Sequence, residues 1–191
     1  MDKKDIIKEL NNTLDGKRFH HTLGVAYTAA CLAMSEGIDC DKAFMAGLLH
    51  DCAKYMKDKE FVVYCEKNDI EITDVERDNP ALLHSKAGVY LARTKYGVTD
   101  EDILSAVRWH TTGHPDMTAL EAVIFTADYI EPNRTHDPEL PAIRKEAFED
   151  LNSAIYHIYK NTMEHLKGSE KTLDPMTEEA YGFYRSLKCD A

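Results

Sequence analysis

Residues 46–54 read Ala-Gly-Leu-Leu-His-Asp-Cys-Ala-Lys, an apolar run followed directly by a His-Asp pair. This pattern predicts that the leucines pack inward and that Lys54 lies in solvent, which places His50 and Asp51 at the edge of a core. A His-Asp pair is common, however, and by itself it is more simply explained as a helix-terminal histidine beside a solvated aspartate. Its meaning therefore depends on residues elsewhere in the chain.

Two further candidate ligands, His21 and Asp128, lie within apolar helical patterns upstream and downstream of this pair. A buried carboxylate is costly unless a cation neutralises it, so each aspartate needs either a metal ion or a lysine or arginine. One isolated histidine on an apolar face is more often a core residue than a ligand. The whole set predicts a divalent-metal site, and such a site predicts hydrolysis. It comprises His21, His50, Asp51 and Asp128. Iron, manganese, zinc, nickel and cobalt all accept this mixed ligand set.

The sequence lacks the motifs of three other metal or nucleotide sites. It contains no His-Glu dipeptide, and hence no His-Glu-x-x-His metalloprotease helix. It contains no Glu-x-x-His pair of the kind that ferritin-like di-iron bundles use. It also contains no Gly-x-x-x-x-Gly-Lys loop for nucleotide phosphates. These absences argue against proteolysis and oxygen chemistry.

Composition bounds the class of protein. The 191 residues fit one domain, and a hydrophobic content of 43% allows a buried core without disulfide bonds. The formal net charge of -11 argues against DNA or RNA as partner, although a locally basic site can still bind a small phosphorylated molecule. Five cysteines without a Cys-x-x-Cys indicate reduced thiols, and no apolar stretch is long enough to span a bilayer. We expect one cytoplasmic domain over residues 1–191 with no membrane segment.

Apolar residues recur mostly at helical spacing, which predicts an all-α fold. Two sequences resemble capping boxes, Thr99 with Asp102 and Thr118 with Glu121, and each should open a helix. The acidic segment 68–79 is the least helical part and is expected to form a loop or a short extended piece. The expected helices span about 3–14, 18–36, 40–54, 58–67, 80–96, 99–109, 118–130, 141–165 and 176–187.

Several cationic or hydrogen-bonding residues fall close to the candidate ligands in the sequence. They are Arg18, His84, His110, Thr111 and Arg134. Each has a simple alternative explanation: Arg18 alone is better read as a solvated arginine, and His110 as a histidine at the negative end of a helix. Their order along the chain, interleaved with the candidate ligands, favours contacts with phosphate groups.

Five segments together resemble the HD superfamily of metal-dependent phosphohydrolases. They are Arg-Phe-His-His-Thr-Leu-Gly-Val at 18–25, Gly-Leu-Leu-His-Asp at 47–51, Leu-Leu-His-Ser at 82–85, Arg-Trp-His-Thr-Thr-Gly at 108–113 and Phe-Thr-Ala-Asp-Tyr-Ile-Glu-Pro-Asn-Arg at 125–134. The His-Thr-Thr-Gly and Asp-Tyr-Ile-Glu-Pro segments are specific, and they resemble the bacterial HD-domain symmetrical bis(5'-nucleosyl)-tetraphosphatases. The resemblance covers roughly residues 17–135.

The resemblance implies an HD-domain helical bundle, with a core over about 17–135 and C-terminal helices over about 141–188. It implies hydrolysis of diadenosine tetraphosphate into two molecules of ADP at an iron centre, and weakly implies a homodimer. It assigns the metal-ligand role to His21, His50, Asp51 and Asp128. It assigns nucleotide-phosphate contacts to Arg18, Asp51, His84, His110, Thr111 and Arg134.

Three residues are expected to take part in the chemistry itself. Asp51 can orient the attacking water, and His84 or His110 can protonate the leaving ADP, since imidazoles titrate near neutral pH. Some HD relatives use additional histidines for a second metal, so His84 and His110 are alternatively metal ligands.

Other functions remain open at this point. The HD fold also hosts deoxynucleotide triphosphohydrolases, 5'-nucleotidases, cyclic-nucleotide phosphodiesterases and guanosine tetraphosphate hydrolases. A non-catalytic nucleotide sensor on the same bundle is a second class of function. A purely structural helical protein is the third, and it leaves the histidines and carboxylates unexplained.

Overall fold

The computed structural model describes residues 1–135, 137–167 and 174–189, and these residues contain helices and no strand. The all-α prediction is therefore confirmed for this part of the chain. None of these helices combines the length and the apolar character needed to cross a membrane. The helices are α1 (Lys3–Thr13), α2 (Gly16–Glu36), α3 (Cys40–Leu49), α4 (Asp58–Lys67), α5 (Asp74–Asp78), α6 (His84–Thr94), α7 (Glu101–Trp109), α8 (Ala119–Ile130), α9 (Leu140–Ala147), α10 (Leu151–Lys167) and α11 (Pro175–Cys189), with a 3₁₀ helix at Pro80–Leu83.

Two hydrophobic clusters fill the interior, and burial of their apolar surface is the main force that holds the helices together. One contains residues of α8 to α11, such as Ile124, Ile155 and Tyr159. The other contains residues of α1, α4 and α6, such as Leu10 and Phe61. Helices α2, α3 and α7 contribute residues to both clusters, so they form the centre of the molecule.

Helices α2 and α3 approach each other most closely at Gly47. A Cβ atom added to Gly47 would lie 2.7 Å from the Cα of Ala26 and 3.0 Å from its backbone nitrogen. Because a larger residue would push the helices apart, this glycine fixes their spacing. The spacing in turn places His21, on α2, beside the chain that leaves the end of α3.

The predicted helix over 40–54 ends earlier than expected. Helix α3 ends at Leu49, and residues 50–55 form successive turns. In these turns the amide of Cys52 donates to the carbonyl of Leu49 at 3.1 Å, and that of Lys54 to Asp51 at 2.9 Å. Bonds over three residues wind the chain more tightly than an α-helix does. The directions of the side chains after Leu49 therefore differ from those of a continued helix.

One of the two predicted capping boxes is confirmed. Thr118 accepts a hydrogen bond from the amide of Glu121 at 3.4 Å, and the Glu121 carboxylate accepts one from the amide of Thr118 at 2.7 Å. The other prediction is wrong, because Asp100 rather than Thr99 caps α7 and accepts from the amide of Asp102 at 3.0 Å. An aspartate next to the predicted cap competes for the same amides.

The segment 68–79 also differs from the prediction, since it contains the short helix α5. Thr73 and Glu76 form a capping box, in which the Thr73 amide donates to the Glu76 carboxylate at 2.9 Å. The following predicted helix over 80–96 starts as a 3₁₀ helix, with Pro80 in its first turn. Local capping therefore orders a segment whose apolar pattern is too weak to predict a helix.

The predicted C-terminal helix over 141–165 is two helices. Helix α9 ends at Ala147, and α10 begins at Leu151. Asp150 interrupts the helical pattern because its carboxylate accepts a hydrogen bond from the amide of Ser153 at 3.1 Å, as an N-terminal cap does.

We predict that Gly47→Ala destabilises the protein by about 1–3 kcal/mol, the usual cost of overpacking a closely packed site. Urea unfolding measures the change. Gly182→Ala is the matched control, because an added Cβ there meets no atom within 4 Å and Gly182 lies inside α11. This control should be neutral or stabilising by about 0.5–1 kcal/mol. Equal stabilities of the Gly47 variant and the wild type would contradict the close approach of α2 and α3.

Candidate active site

The structure brings the four predicted metal ligands together. His21 comes from α2, His50 and Asp51 from the turn after α3, and Asp128 from α8. The Nε2 atom of His21 lies 3.0 Å from Asp128 Oδ1 and 3.8 Å from Asp51 Oδ2. The Nε2 atom of His50 lies 3.4 Å from Asp51 Oδ2 and 3.9 Å from Asp128 Oδ1. All four donor groups therefore face a common point, while their role as ligands stays a prediction.

The chemistry of these donors fits a metal ion. His50 is fully buried, and its Nε2 atom has no hydrogen-bond partner among the described residues. An unpartnered buried nitrogen is costly unless another group binds it. The donor atoms of His21, His50 and Asp51 all lie within 4.8 Å of one another. Two imidazole nitrogens with two carboxylates suit a divalent transition metal.

In three histidines of the site, the same kind of hydrogen bond to the backbone fixes the proton on Nδ1 of the imidazole. In each, Nδ1 hydrogen-bonds the backbone carbonyl three residues earlier. The pairs are His50 with Gly47 at 2.7 Å, His84 with Ala81 at 2.5 Å and His110 with Val107 at 2.8 Å. A carbonyl oxygen can only accept, so Nδ1 carries the proton. In the neutral ring, Nε2 is then left with a free lone pair. Such backbone bonds orient histidines for binding metals or protons.

Glu131 fixes the fourth histidine, and sequence reasoning missed it. Its carboxylate Oε1 lies 3.1 Å from Nδ1 of His21, and Oε2 accepts from the Asn133 amide at 2.8 Å. Glu131 is buried, and a Cβ added to Gly24 would lie 2.3 Å from its Oε2. Gly24 therefore makes room for the carboxylate. The available signal was the Glu in the Asp-Tyr-Ile-Glu-Pro segment, one helical turn after Asp128.

Asp51 has two faces. Its Oδ2 atom lies 2.6 Å from Nη1 of Arg18 and is the atom nearest His21 and His50. Its Oδ1 atom lies 3.4 Å from Nε2 of His84 and 3.6 Å from Nε2 of His110. We call these the His21 side and the His84 side of Asp51. One buried carboxylate thus joins two groups of candidate functional residues.

The His84 side is a cluster of hydrogen-bond acceptors. The Nε2 atoms of His84 and His110 are 2.9 Å apart, and Thr111 Oγ1 lies 3.0 Å and 3.1 Å from them. Because each ring already carries its proton on Nδ1, the two lone pairs face each other unless a proton or a cation lies between them. The hydroxyl of Thr111 can donate to only one of the two nitrogens. This side therefore suits binding of a proton, an ion or a hydrogen-bond donor.

Arg18 and Arg134 pair with the two carboxylates of the metal-ligand set. Nη1 of Arg18 lies 2.6 Å from Asp51, and Nη2 of Arg134 lies 2.7 Å from Asp128. The arginine side chains are 36% and 41% exposed, so they also reach the surface. Both line a cavity of about 290 Å³ on the His21 side, together with His21 itself. A guanidinium at the edge of a cavity is suited to bind phosphate in two-point fashion.

Ionisation of the carboxylates fits the same chemistry. Burial acts to raise the pKa of Asp51, but His50 and His110 hold that pKa well below its usual range. The pKa of Asp128 is also lowered, because the nearby imidazole of His21 and the charge of Arg134 outweigh burial. Burial lowers the pKa of His84, and Lys54 and His110 lower it further. Anionic carboxylates and neutral imidazoles are the forms that ligate metals.

Lys54 does not lie in solvent as expected. The tight turns after Leu49 direct it into the molecule, where it is half-buried. It lines a cavity of about 260 Å³ with His84 and Thr111, on the His84 side of Asp51. The pKa of its ammonium group is lowered, mainly by burial. The charge of Asp51 opposes this shift, and the charge of Arg18 adds to it.

The loop that carries His110 and Thr111 is held by a C-terminal helix. Tyr159 of α10 is buried, and its hydroxyl donates to the carbonyl of Thr112 at 3.0 Å. Gly113 has φ +59°, and a Cβ added there would lie 1.9 Å from that hydroxyl. Both the backbone conformation and the close approach require glycine. The position of the loop therefore depends on α10.

Three other histidines, His20, His114 and His157, lie away from the cluster around Asp51. His20 is exposed, as expected for a residue that faces away from His21. His114 lies 3.0 Å from the Glu121 carboxylate, and His157 pairs with Glu146 at the surface. Residue 136, also a histidine, lies outside the described residues.

We predict that Glu131→Gln lowers metal affinity by about 10- to 100-fold, because the charge that orients His21 is lost. Competition with a metal-binding dye measures the affinity, and thermal unfolding of the metal-free protein checks the fold. Glu139→Gln is the matched control, since Glu139 is an exposed carboxylate shortly after Glu131. Unchanged affinity in the Glu131 variant would contradict its role in orienting His21.

Comparisons with known proteins show the family of the chain. Residues 18–133 match the family model of the HD domain. A Bacillus subtilis protein named symmetrical bis(5'-nucleosyl)-tetraphosphatase is 40% identical over 96% of this chain and 97% of its own length. A protein of the same name from Halalkalibacterium halodurans is 40% identical over 86% of this chain and 87% of its own.

A solved structure has the same architecture. It is a crystal structure from Clostridium acetobutylicum of a protein described as a predicted HD superfamily hydrolase involved in NAD metabolism. The TM-score is 0.93, the sequence identity is 39%, and the superposition covers 98% of each chain. The matched family model spans the four candidate metal ligands and also His84, His110 and Thr111. The chain therefore belongs to the HD domain family, in the group that includes the symmetrical bis(5'-nucleosyl)-tetraphosphatases.

Proposed function

We propose that this protein is a metal-dependent hydrolase that cleaves diadenosine tetraphosphate, and related dinucleoside polyphosphates, symmetrically into two nucleoside diphosphates. The observation that carries the proposal is the two-sided arrangement around Asp51, with candidate metal ligands on one side and two histidines on the other. The names of relatives that match over nearly the whole chain support the choice of substrate. The substrate is a small nucleotide.

The metal would be held by His21, His50, Asp51 and Asp128. Their buried nitrogens and anionic carboxylates support a divalent ion. We propose iron as the physiological metal, with manganese, zinc, nickel and cobalt as alternatives that the same donors accept. If His84 and His110 are ligands as well, the protein binds two ions per chain, and a metal titration distinguishes the two cases.

A bound divalent ion supplies an acidified water and polarises a phosphoryl oxygen. Asp51 would orient the attacking water, because its two oxygens face both sides of the site. Arg18 and Arg134 would bind and neutralise phosphates at the surface end of the cluster. On the other side, the hydroxyl of Thr111 would donate to a phosphoryl oxygen. His84 and His110 would donate as well when the pair holds a proton on Nε2.

The reaction breaks one P–O bond in the middle of the tetraphosphate. Water adds its oxygen to one central phosphorus, and the bridging oxygen leaves with the other half. The departing ADP needs a proton or a cation at that oxygen, and His84 or His110 would supply the proton. Each product then carries two phosphates, which is the outcome that distinguishes symmetrical cleavage.

We further propose that the chain acts as one domain and forms a homodimer, as the family resemblance implies. Size-exclusion chromatography with light scattering measures the mass in solution. A monomeric mass at working concentration would contradict the dimer without affecting the proposed reaction.

We predict that the wild type, purified without oxygen and loaded with Fe²⁺, releases only ADP from diadenosine tetraphosphate. Anion-exchange chromatography separates ADP from the ATP and AMP that asymmetric cleavage would give. The substrate panel includes NAD⁺, cyclic dinucleotides, deoxynucleoside triphosphates and guanosine tetraphosphate, whose preferred cleavage would favour another HD activity. Tight binding without turnover under several metals would favour a nucleotide sensor.

The metal assignment is tested in the same assay with two neighbouring histidines. His21→Ala should lose most of its bound metal and its activity, because Nε2 of His21 faces both carboxylates. His20→Ala should retain both, since that side chain is exposed. Elemental analysis gives the metal content, and full turnover by the His21 variant would exclude the assigned site.

We predict that Arg134→Ala raises the KM for diadenosine tetraphosphate by about 10- to 100-fold. This is the effect expected when one or two hydrogen bonds to a charged phosphate are lost. Metal content should stay unchanged, because Arg134 contacts Asp128 but donates no metal ligand. Arg93→Ala is the control, since Arg93 pairs with Glu101 at the exposed surface. Loss of metal in the Arg134 variant would indicate a structural role instead.

A further inference from the structure

Arg144 of α9 binds the segment that connects α8 to the rest of the C-terminal part. Its Nε atom donates to the carbonyl of Ile130 at 2.7 Å. Its Nη2 atom donates to the carbonyl of Glu131 at 2.9 Å and to that of Arg134 at 2.7 Å. One half-buried guanidinium therefore binds three backbone carbonyls within the five residues 130–134.

These carbonyls belong to the end of α8 and to the turn that follows it. Helix α8 ends at Ile130, and the last carbonyls of a helix have no amide of the same helix to accept from. The carbonyl of Glu131 also accepts from the amide of Arg134 at 3.0 Å, which closes a turn over 131–134. Arg144 thus bonds both the first and the last residue of this turn, at a helix end whose dipole favours a cation.

The two turn residues that Arg144 binds both direct their side chains to the active site. The carboxylate of Glu131 lies 3.1 Å from Nδ1 of His21. Nη2 of Arg134 lies 2.7 Å from Oδ1 of Asp128. The turn therefore carries one residue that orients a candidate metal ligand and one that is expected to bind phosphate.

Arg144 itself stands back from the chemistry. It lines neither of the two cavities beside Asp51, and its three hydrogen bonds all go to backbone carbonyls. It also lies outside residues 18–133, the part of the chain that matches the family model. Any effect of Arg144 on the reaction must therefore pass through the turn that it holds.

We propose that Arg144 is a positioning residue for the active site. By holding the turn, it keeps the carboxylate of Glu131 against His21. It also keeps the guanidinium of Arg134 where substrate phosphates bind. A planar guanidinium donates in fixed directions, so it fixes the carbonyls that it binds relative to one another. The effect on substrate binding rests on the proposed function, whereas the effect on metal binding rests on the assigned ligands alone.

The first test is a double-mutant cycle with Arg134, read from the KM for diadenosine tetraphosphate in enzyme saturated with Fe²⁺. Arg144→Met keeps the apolar stem and removes the guanidinium, and it should raise the KM by about 5- to 20-fold. In the Arg134→Ala background the same change should raise the KM by less than about twofold, because the residue through which Arg144 acts is already absent. A rise of the same size in both backgrounds would overturn the proposal, since a purely structural role does not depend on Arg134.

The second cycle pairs Arg144 with Glu131 and needs no substrate. Competition with a metal-binding dye for Co²⁺ should show that Arg144→Met lowers the metal affinity by about 3- to 10-fold. In the Glu131→Gln background the loss should be less than about twofold, because His21 has already lost the charge that orients it. Equal losses in both backgrounds would show that Arg144 does not act through Glu131.

Lys145→Ala is the matched control. Lys145 is the next residue of α9 and is exposed, and its ammonium lies 3.5 Å from the Glu149 carboxylate at the surface. This variant should leave both the KM and the metal affinity unchanged. Thermal unfolding of the metal-free proteins checks the fold. If Arg144→Met is unfolded, Arg144→Lys replaces it in both cycles, because it retains the charge at the end of α8 and offers one donor nitrogen in place of two.

The two cycles separate failure of this inference from failure of the proposed function. If the wild type releases ADP from the dinucleotide but the effects in both cycles are additive, the role of Arg144 is refuted while the proposed function stands. If the wild type releases no ADP, the proposed function fails, and the cycle with Glu131 still decides whether Arg144 positions the turn.

Discussion

Two carboxylates, Asp51 and Asp128, lie within the same small volume and must both stay ionised. Their mutual repulsion and the loss of water would together be prohibitive without compensating charge. The structure compensates each with one arginine and with histidines that present nitrogen atoms to the same oxygens. Helices α2, α3 and α8 must therefore meet at one point, and the surrounding architecture serves to bring them there.

Meeting at one point requires close approach, and three glycines permit it. Gly47 sets the distance between α2 and α3, Gly24 leaves space for the carboxylate of Glu131, and Gly113 leaves space for the hydroxyl of Tyr159. In each case a Cβ atom would lie closer than 3.0 Å to a neighbouring atom. The geometry of the site therefore depends on these three glycines as well as on the residues that carry its chemistry.

The sequence allowed the helical fold and the four grouped donors to be predicted, because both follow from residue type, apolar spacing and ordered motifs. It did not reveal the role of Glu131 or the half-buried position of Lys54. Glu131 contacts His21 directly but lies 110 positions away in the sequence, and no local sequence pattern predicts such a contact. Lys54 was misplaced because a predicted helix gives way to tight turns after Leu49. The starts of α7 and α10 were also misplaced, because Asp100 and Asp150 accept the hydrogen bonds from the backbone amides of the first turn.

The hydrogen bond from Tyr159 to Thr112 has a consequence for how the chain can be shortened. The family motifs end before α10, yet that helix anchors the segment bearing His110 and walls the neighbouring pocket. A fragment that ends at residue 133 would keep the residues of the family model but would lose the helix that holds the loop of His110 and Thr111 in place. Motif boundaries in this chain therefore do not mark where the working unit can be cut.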